Sequence, residues 1–170
     1  MDLAERSCVI MVSMTPPRWL SAQERECWLA LMALSTQLPS LLDTELHRQG
    51  RITLFDYHVL AMLSESEGRL LPMSELAGRT NASLSRLSHV VKKLEARGWV
   101  ERSPSADDAR VTVAHLPEAG LDMLRELAPE HVASVRRLVF DGLSGQDVKD
   151  LTRIGRKLVA GMDPEHWIFR

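Results

Sequence analysis

One stretch limits the folds open to this chain more than any other, the thirty residues from Met73 to Arg102. Its pattern predicts a short helix over Ser74 to Thr80, a turn, a longer amphipathic helix ending at Gly98, and then a strand. Along the longer helix Leu84, Leu87, Val91 and Leu94 fall at helical spacing on one face. Ser85, Arg86, His89, Lys92 and Lys93 fall on the other. An apolar back with a front of Arg, Lys, Ser and His, entered through a tight turn, suits the major groove of DNA. An ordinary surface helix has the same two faces, so this stretch alone leaves both readings open.

The residues after Gly98 narrow the choice. Two β-prone runs, Trp99 to Ser103 and Arg110 to Leu116, flank the polar segment Pro104 to Ala109, which predicts a hairpin with turn residues at its tip. In the second run Val111 and Val113 alternate with Thr112 and Ala114, the pattern of a half-exposed strand. Helix, turn, helix and hairpin in that order make a winged helix. Its hairpin would run along the DNA backbone while the longer helix enters the groove.

The order and spacing of these pieces resemble the MarR family of bacterial transcriptional regulators. Leu54 to Leu63 is similar to that family's second helix, and Leu94, Glu95, Gly98, Val100 and Arg102 match the end of its recognition helix. Asp108 and Arg110, followed by Leu116 and Gly120, match its wing. The resemblance spans about Trp19 to Met162. Pro117 stands where the family usually has Thr; its ring pre-sets φ at the helix start but supplies no side-chain oxygen to cap it. The resemblance implies a mainly α fold with a small β-hairpin wing, a winged helix-turn-helix flanked by N- and C-terminal dimerisation helices.

The chain then divides into a poorly ordered lead over 1–18, a dimerisation helix over 19–50, the DNA-binding lobe over 51–116, C-terminal dimerisation helices over 117–162 and a tail over 163–170. Pro16 and Pro17 block any helix through the lead, and Met14 is an alternative start. Ser21 with Glu24 gives a capping signature for a long helix to about Gln49, with a kink expected at Pro39. Thr53 is expected to cap the second helix. The C-terminal part predicts a helix from Glu118 to about Phe140, interrupted at Pro129, and a last helix from Ser144 to Gly161. Its apolar residues, among them Leu121, Leu124, Leu127, Val132, Leu151, Ile154 and Leu158, are too many for a monomer's exterior. A homodimer is expected, and its symmetry implies a pseudo-palindromic operator with half-sites roughly 10 bp apart.

Charge agrees with a specific rather than an indiscriminate binder. The net charge is −2, yet six basic residues stand against two acidic ones from Arg79 to Arg102, a local +4 that leaves −6 elsewhere. A basic face on an acidic body presents one side to phosphate. Two cysteines, Cys8 and Cys27, form no disulfide framework, and the N-terminal run from Cys8 to Met14 is too short for a signal peptide. A cytoplasmic protein away from membranes is expected.

Candidate DNA contacts are Ser83, Ser85, Arg86, His89, Lys92 and Lys93 on the recognition helix and Asp108 and Arg110 on the wing. Arg86 can grip guanine O6 and N7 in a fork, or touch phosphate alone. Ser83 and Ser85 sit where a helix N-terminus meets phosphate, though Ser83 is equally an N-cap. In the family Arg110 would lie in or along the minor groove, with Asp108 shaping the tip. The resemblance implies a small-molecule effector between the dimerisation helices and the lobe; candidate linings are Trp28, Met32, Phe55, His58, Met62 and Met73, for each of which plain core is the favoured alternative. Cys27 invites a thiol redox reading, because one branch of the family senses hydroperoxides there, but only Tyr57 is present to assist and a buried or half-buried structural cysteine fits better. Zinc held by Glu24, Cys27, His47 and His131 is a weaker alternative, and no histidine pair has metal spacing. No nucleophile motif or phosphate loop appears, so neither cofactor nor enzymatic activity is expected. A winged helix serving a protein partner is the remaining rival.

Overall fold

The computed structural model describes residues 17–169. Most of the N-terminal lead, including Cys8 and Met14, lies outside the described residues. The chain forms two compact units, Met1–Ser35 and Thr36–Arg170. Six α-helices and three short strands are described: α1 (Ala22–Gly50), α2 (Leu54–Ser64), β1 (Leu70–Pro72), α3 (Met73–Arg79), α4 (Leu84–Glu95), β2 (Glu101–Pro104), β3 (Thr112–His115), α5 (Glu118–Val135) and α6 (Gly145–Met162). No described helix is long and apolar enough to cross a membrane.

Helix starts follow side-chain chemistry. The Ser21 N–H donates to Glu24 Oε2 at 2.8 Å and the Glu24 N–H to Ser21 Oγ at 3.2 Å, a reciprocal cap on α1. The same box recurs at Thr53 with Asp56 and at Ser144 with Asp147. Helix α5 starts at Pro117 with no side-chain cap. Pro117 occupies the capping position itself rather than the first helical turn, and its carbonyl accepts the Gly120 and Leu121 N–H groups at 3.0 and 3.1 Å.

The sequence pattern is corrected at four places. First, β1 escapes the periodicity because it is three residues long and ends in Pro72. It pairs antiparallel with β3, from Leu70 opposite His115 to Pro72 opposite Val113, so the wing is the outer part of a three-stranded sheet ordered β1-β3-β2. Second, β3 is therefore central, and Val113 and Ala114 are both buried instead of alternating. Third, α5 runs unbroken through Pro129, and the irregularity lies later, in a π-helical turn over Arg136–Phe140. Fourth, Leu84 in the first turn of α4 is 55% exposed and is not part of that helix's apolar back.

In the second unit the core gathers Val59, Leu60 and Leu63 of α2, Leu76 of α3, Leu87, Val91 and Leu94 of α4, and Leu116. A second cluster of Leu46, Ile52 and Leu127 joins the end of α1 to α5. Gly120 is where α5 crosses the backbone at Trp99, so closely that a Cβ there would overlap the Trp99 carbonyl oxygen. By contrast α6 has no buried residue, and Leu151, Ile154, Leu158 and Met162 are exposed along it at helical spacing.

Candidate nucleic-acid interface

The turn between α3 and α4 is built by short polar side chains. Thr80 at the end of α3 is buried, its hydroxyl donating to the Leu76 carbonyl at 2.7 Å. Asn81 takes the left-handed conformation, φ 49°, which Asn tolerates better than most residues, and the Ala82 N–H returns to the Ala77 carbonyl at 2.9 Å. Ser83 then caps α4, its Oγ accepting the Arg86 N–H at 3.2 Å. With Leu87, Val91 and Leu94 buried, Ser85, Arg86, His89 and Lys92 are left exposed.

Lys93 is exposed as well, its side chain 42% open to solvent, but unlike the others its ammonium is tied. Its Nζ donates to Asp56 Oδ2 at 2.5 Å, and the Asp56 side chain is 1% exposed. The lysine is thus engaged by the start of α2. Arg86, two turns earlier, lies with its guanidinium 4.2 Å from the centroid of the Phe55 ring, a cation–π contact with the residue beside Asp56. A Thr-x-x-Asp capping signature at Thr53 and Asp56 was present in the sequence; the long-range partner of Asp56 was not readable from it.

The local charge excess is smaller than counting neighbours in sequence suggests. Two acids from outside the stretch pair with it, Glu75 with Arg79 and Asp56 with Lys93, while inside it Arg102 bonds the already counted Glu95 through Nε at 2.9 Å and Nη2 at 2.5 Å and Arg97 donates to the Arg51 carbonyl at 3.2 Å. The Glu95 hydrogen bond holds Arg102 even more firmly protonated than usual and fastens β2 to the end of α4.

At the wing tip the Ser105 N–H donates to the Val111 carbonyl at 2.8 Å and the Val111 N–H to the Asp108 carbonyl at 2.9 Å. Asp108 accepts from Arg110 three times, through the backbone N–H, Nε and Nη2, each at 3.0 Å. These bonds, the side-chain ones first, hold the Asp108 carboxyl below its ordinary range. Arg110 nonetheless remains 91% exposed.

Of the six residues considered for an effector site, the structure brings Phe55 and His58 together. They line a cavity of about 390 Å³ with Pro39, Ser40, Asp43, Leu54 and Arg86. Burial pushes the His58 imidazole below its ordinary pKa, against a weaker upward pull from Glu65. Met62 of α2 and Met73 of α3 belong to the hydrophobic core. Trp28 and Met32 are exposed on the first unit's part of α1. Cys27 is exposed there too, and not buried or half-buried as expected, because the side chains along this part of the helix are open to solvent. Among the described residues no three of His, Cys, Asp and Glu gather as a metal would require.

Comparison with known proteins supplies the lineage. The model of the MarR family matches residues 52–112, from Ile52 to Thr112 in β3. The HTH-type transcriptional regulator YfiV of Bacillus subtilis, itself uncharacterised, is 33% identical over 136 residues, covering 74% of this chain and 83% of YfiV. A MarR family transcriptional regulator from Streptomyces coelicolor, crystallised in complex with DNA, is 39% identical with a TM-score of 0.84, over 88% of this chain and 94% of that one. The chain belongs to the MarR family. The transcriptional repressor MprA of Escherichia coli is 31% identical over 107 residues, 63% of this chain. The chain spans 60% of the length of that curated relative. Within the winged-helix fold of that family, α3 and α4 form the helix-turn-helix and β2–β3 the wing.

Proposed function

We propose that this MarR family chain is a sequence-specific DNA-binding transcriptional regulator, not an enzyme, acting in the cytoplasm as a homodimer and released from its operator by a small molecule. The observation that carries DNA binding is the capped helix α4, which buries one face and exposes Ser85, Arg86, His89 and Lys92 on the other. The similarity to a regulator crystallised with DNA supports the same partner. Ser83 lends the helix N-terminus, and the exposed guanidinium of Arg110 reaches for phosphate or the minor groove.

Dimerisation is supported by α6. An 18-residue helix that buries none of its residues, with Leu151, Ile154, Leu158 and Met162 exposed in a stripe, is what one half of an interface looks like alone. Two copies related by a two-fold axis would place their α4 helices on successive half-sites.

Repression relieved by an effector is supported by the cavity at Phe55 and His58, because Arg86 forms part of its wall. A ligand that favours the conformation with Arg86 stacked on Phe55 withdraws this side chain from the bases and shifts the population away from DNA. The test is a gel-shift titration against DNA from the gene's own upstream region, with wild type and Arg86→Ala. A base-reading Arg86 predicts a loss of about 1–3 kcal/mol on the operator and relaxed preference at one position per half-site. Equal losses on operator and random DNA would show a backbone contact only, and no specific complex with wild type would remove the regulator reading. The exposure of Cys27 favours a second reading, release by thiol oxidation; a Cys27→Ser protein that still left DNA on peroxide treatment would eliminate it.

A further inference from the structure

We infer that Lys93 and the buried carboxylate of Asp56 form a lock that sets the angle of the recognition helix on α2, so that Lys93 positions the reading helix instead of contacting DNA. This rests on the DNA-binding reading above. Asp56 is the third residue of α2 and Lys93 lies in the last turn of α4, 37 residues further along the chain. A carboxylate removed from water needs a partner charge or hydrogen bonds to remain there. Oδ2 has both, accepting the Thr53 N–H at 2.8 Å and the Lys93 ammonium at 2.5 Å, while Oδ1 is buried with no hydrogen-bond partner. The geometry therefore concentrates the carboxylate's bonding on one oxygen and aims it at one residue of α4.

A second tie joins the same two helices. Arg86 rests on Phe55, the neighbour of Asp56, and Arg86 and Lys93 are roughly 10 Å apart along the helix axis. Helix α4 is thus held at two points against the start of α2. The first point uses a side chain that must leave Phe55 to reach a base. When it does, the Lys93 bond remains as the polar tie between α2 and α4, at the end of the helix farther from the capped N-terminus. A forked base contact tolerates errors of only about 0.5 Å or 10–20°. Holding the helix at that angle therefore serves discrimination between sequences more than overall affinity.

The experiment uses the full chain with Asp56→Asn, Lys93→Met, the double variant and Lys93→Arg. Asn retains the size and capping oxygen of Asp, Met retains the apolar stem of Lys, and the double variant leaves no unpaired buried charge. Each protein is titrated against a duplex selected by the wild type from random sequence and against a scrambled duplex, over a salt series. The lock predicts that each single neutral variant lowers the specific-to-scrambled affinity ratio about ten-fold, the discrimination carried by one well-placed base contact. The salt slope should stay at the wild-type value, the double variant should lose no more than either single, and Lys93→Arg should restore most of the ratio. A Lys93→Met slope lower by about 0.9 per phosphate contact, with Asp56→Asn binding normally, would make Lys93 a phosphate ligand and overturn the lock. Losses that multiply in the double variant would overturn it as well. If the wild type selected no duplex, the DNA-binding reading would fall. Amide exchange without DNA would then judge the lock by itself: α4 should exchange faster in both single variants and recover in Lys93→Arg, and unchanged exchange would refute it.

Discussion

Replacing Gly120 with Ala tests whether the crossing of α5 over the end of α4 sets the packing of the whole lobe. In an open helix Ala is favoured over Gly by about 0.8–1.0 kcal/mol, so propensity alone predicts a more stable protein. The structure predicts the reverse. The new methyl would overlap the Trp99 carbonyl oxygen and lie 2.7 Å from Leu116 Cδ1 and 3.0 Å from the Trp99 carbonyl carbon. Two of those atoms are backbone and cannot rotate away, so α5 and the segment entering β2 must separate. Overpacking of a tight site costs about 1–3 kcal/mol, and a backbone obstacle puts this case at the upper end or beyond it. After the propensity gain a net destabilisation of about 2 kcal/mol or more is expected, a fall in Tm of roughly 2–4 °C for each kcal/mol in a chain of this size. Thermal and urea unfolding at one fixed protein concentration measure it, since self-association would otherwise move the midpoint. Ala119→Gly, at the exposed neighbouring position, isolates propensity and should lose no more than about 1 kcal/mol. A Gly120→Ala protein as stable as wild type, or more so, would show that α5 does not press on Trp99.

Arg110→Ala should weaken DNA binding and lower the log–log salt slope by about 0.9 for each phosphate the arginine neutralises, with Tm unchanged because the side chain is 91% exposed; unaltered affinity in a folded protein would refute a role for the wing. Deleting residues 142–170 should give a monomeric or aggregating product by light scattering, and a well-behaved dimer would take α6 out of the interface. Burial lowers the pKa of both His58 and His131 from the ordinary 6.5, so the unfolded chain binds these protons more readily. Stability conferred by the neutral imidazoles is therefore full above about pH 6.5 and declines as the pH falls below it. His58→Gln and His131→Gln should flatten the dependence of unfolding free energy on pH below about 6.5, and an unchanged profile would mean the two rings titrate alike in both states.

Features written into neighbouring residues were legible in the sequence. Ser21 with Glu24, Thr53, Ser83, and Ser144 with Asp147 start helices where local hydrogen bonding predicts. Gly98 ends the α4 region at φ 71°, a conformation that favours glycine. What escaped depends on partners distant in the chain. Strand β1 is too short to show a period and exists because β3 pairs with it, and that pairing buries Ala114. Lys93 has the composition of a DNA contact, and only the fold brings Asp56 to it. Pro129 marks a break by local rules, yet α5 continues through it. The proposed effector site was the least legible part, since Met62 and Phe55 look alike as apolar helix residues until the fold makes one core and the other a cavity wall.

The sheet register also bears on how such a regulator can change over generations. Pairing of β2 with β3 ends at Pro104 opposite Thr112, and the segment beyond it is closed by its own hydrogen bonds and by the grip of Asp108 on Arg110. The base of the wing is anchored on its other side by β1, so the tip is a self-contained appendage. Lengthening it would cost mainly loop-closure entropy, about 0.6 kcal/mol for each doubling. If the wing contacts DNA as proposed, insertions or exchanges between residues 105 and 111 are a low-cost route to new preferences for sequences flanking an operator. On the proposed DNA-binding reading, descendants of one ancestor can diverge there while the bases proposed to be read by α4 stay the same, and a tip transplanted from one such protein to another should carry its flank preference with it.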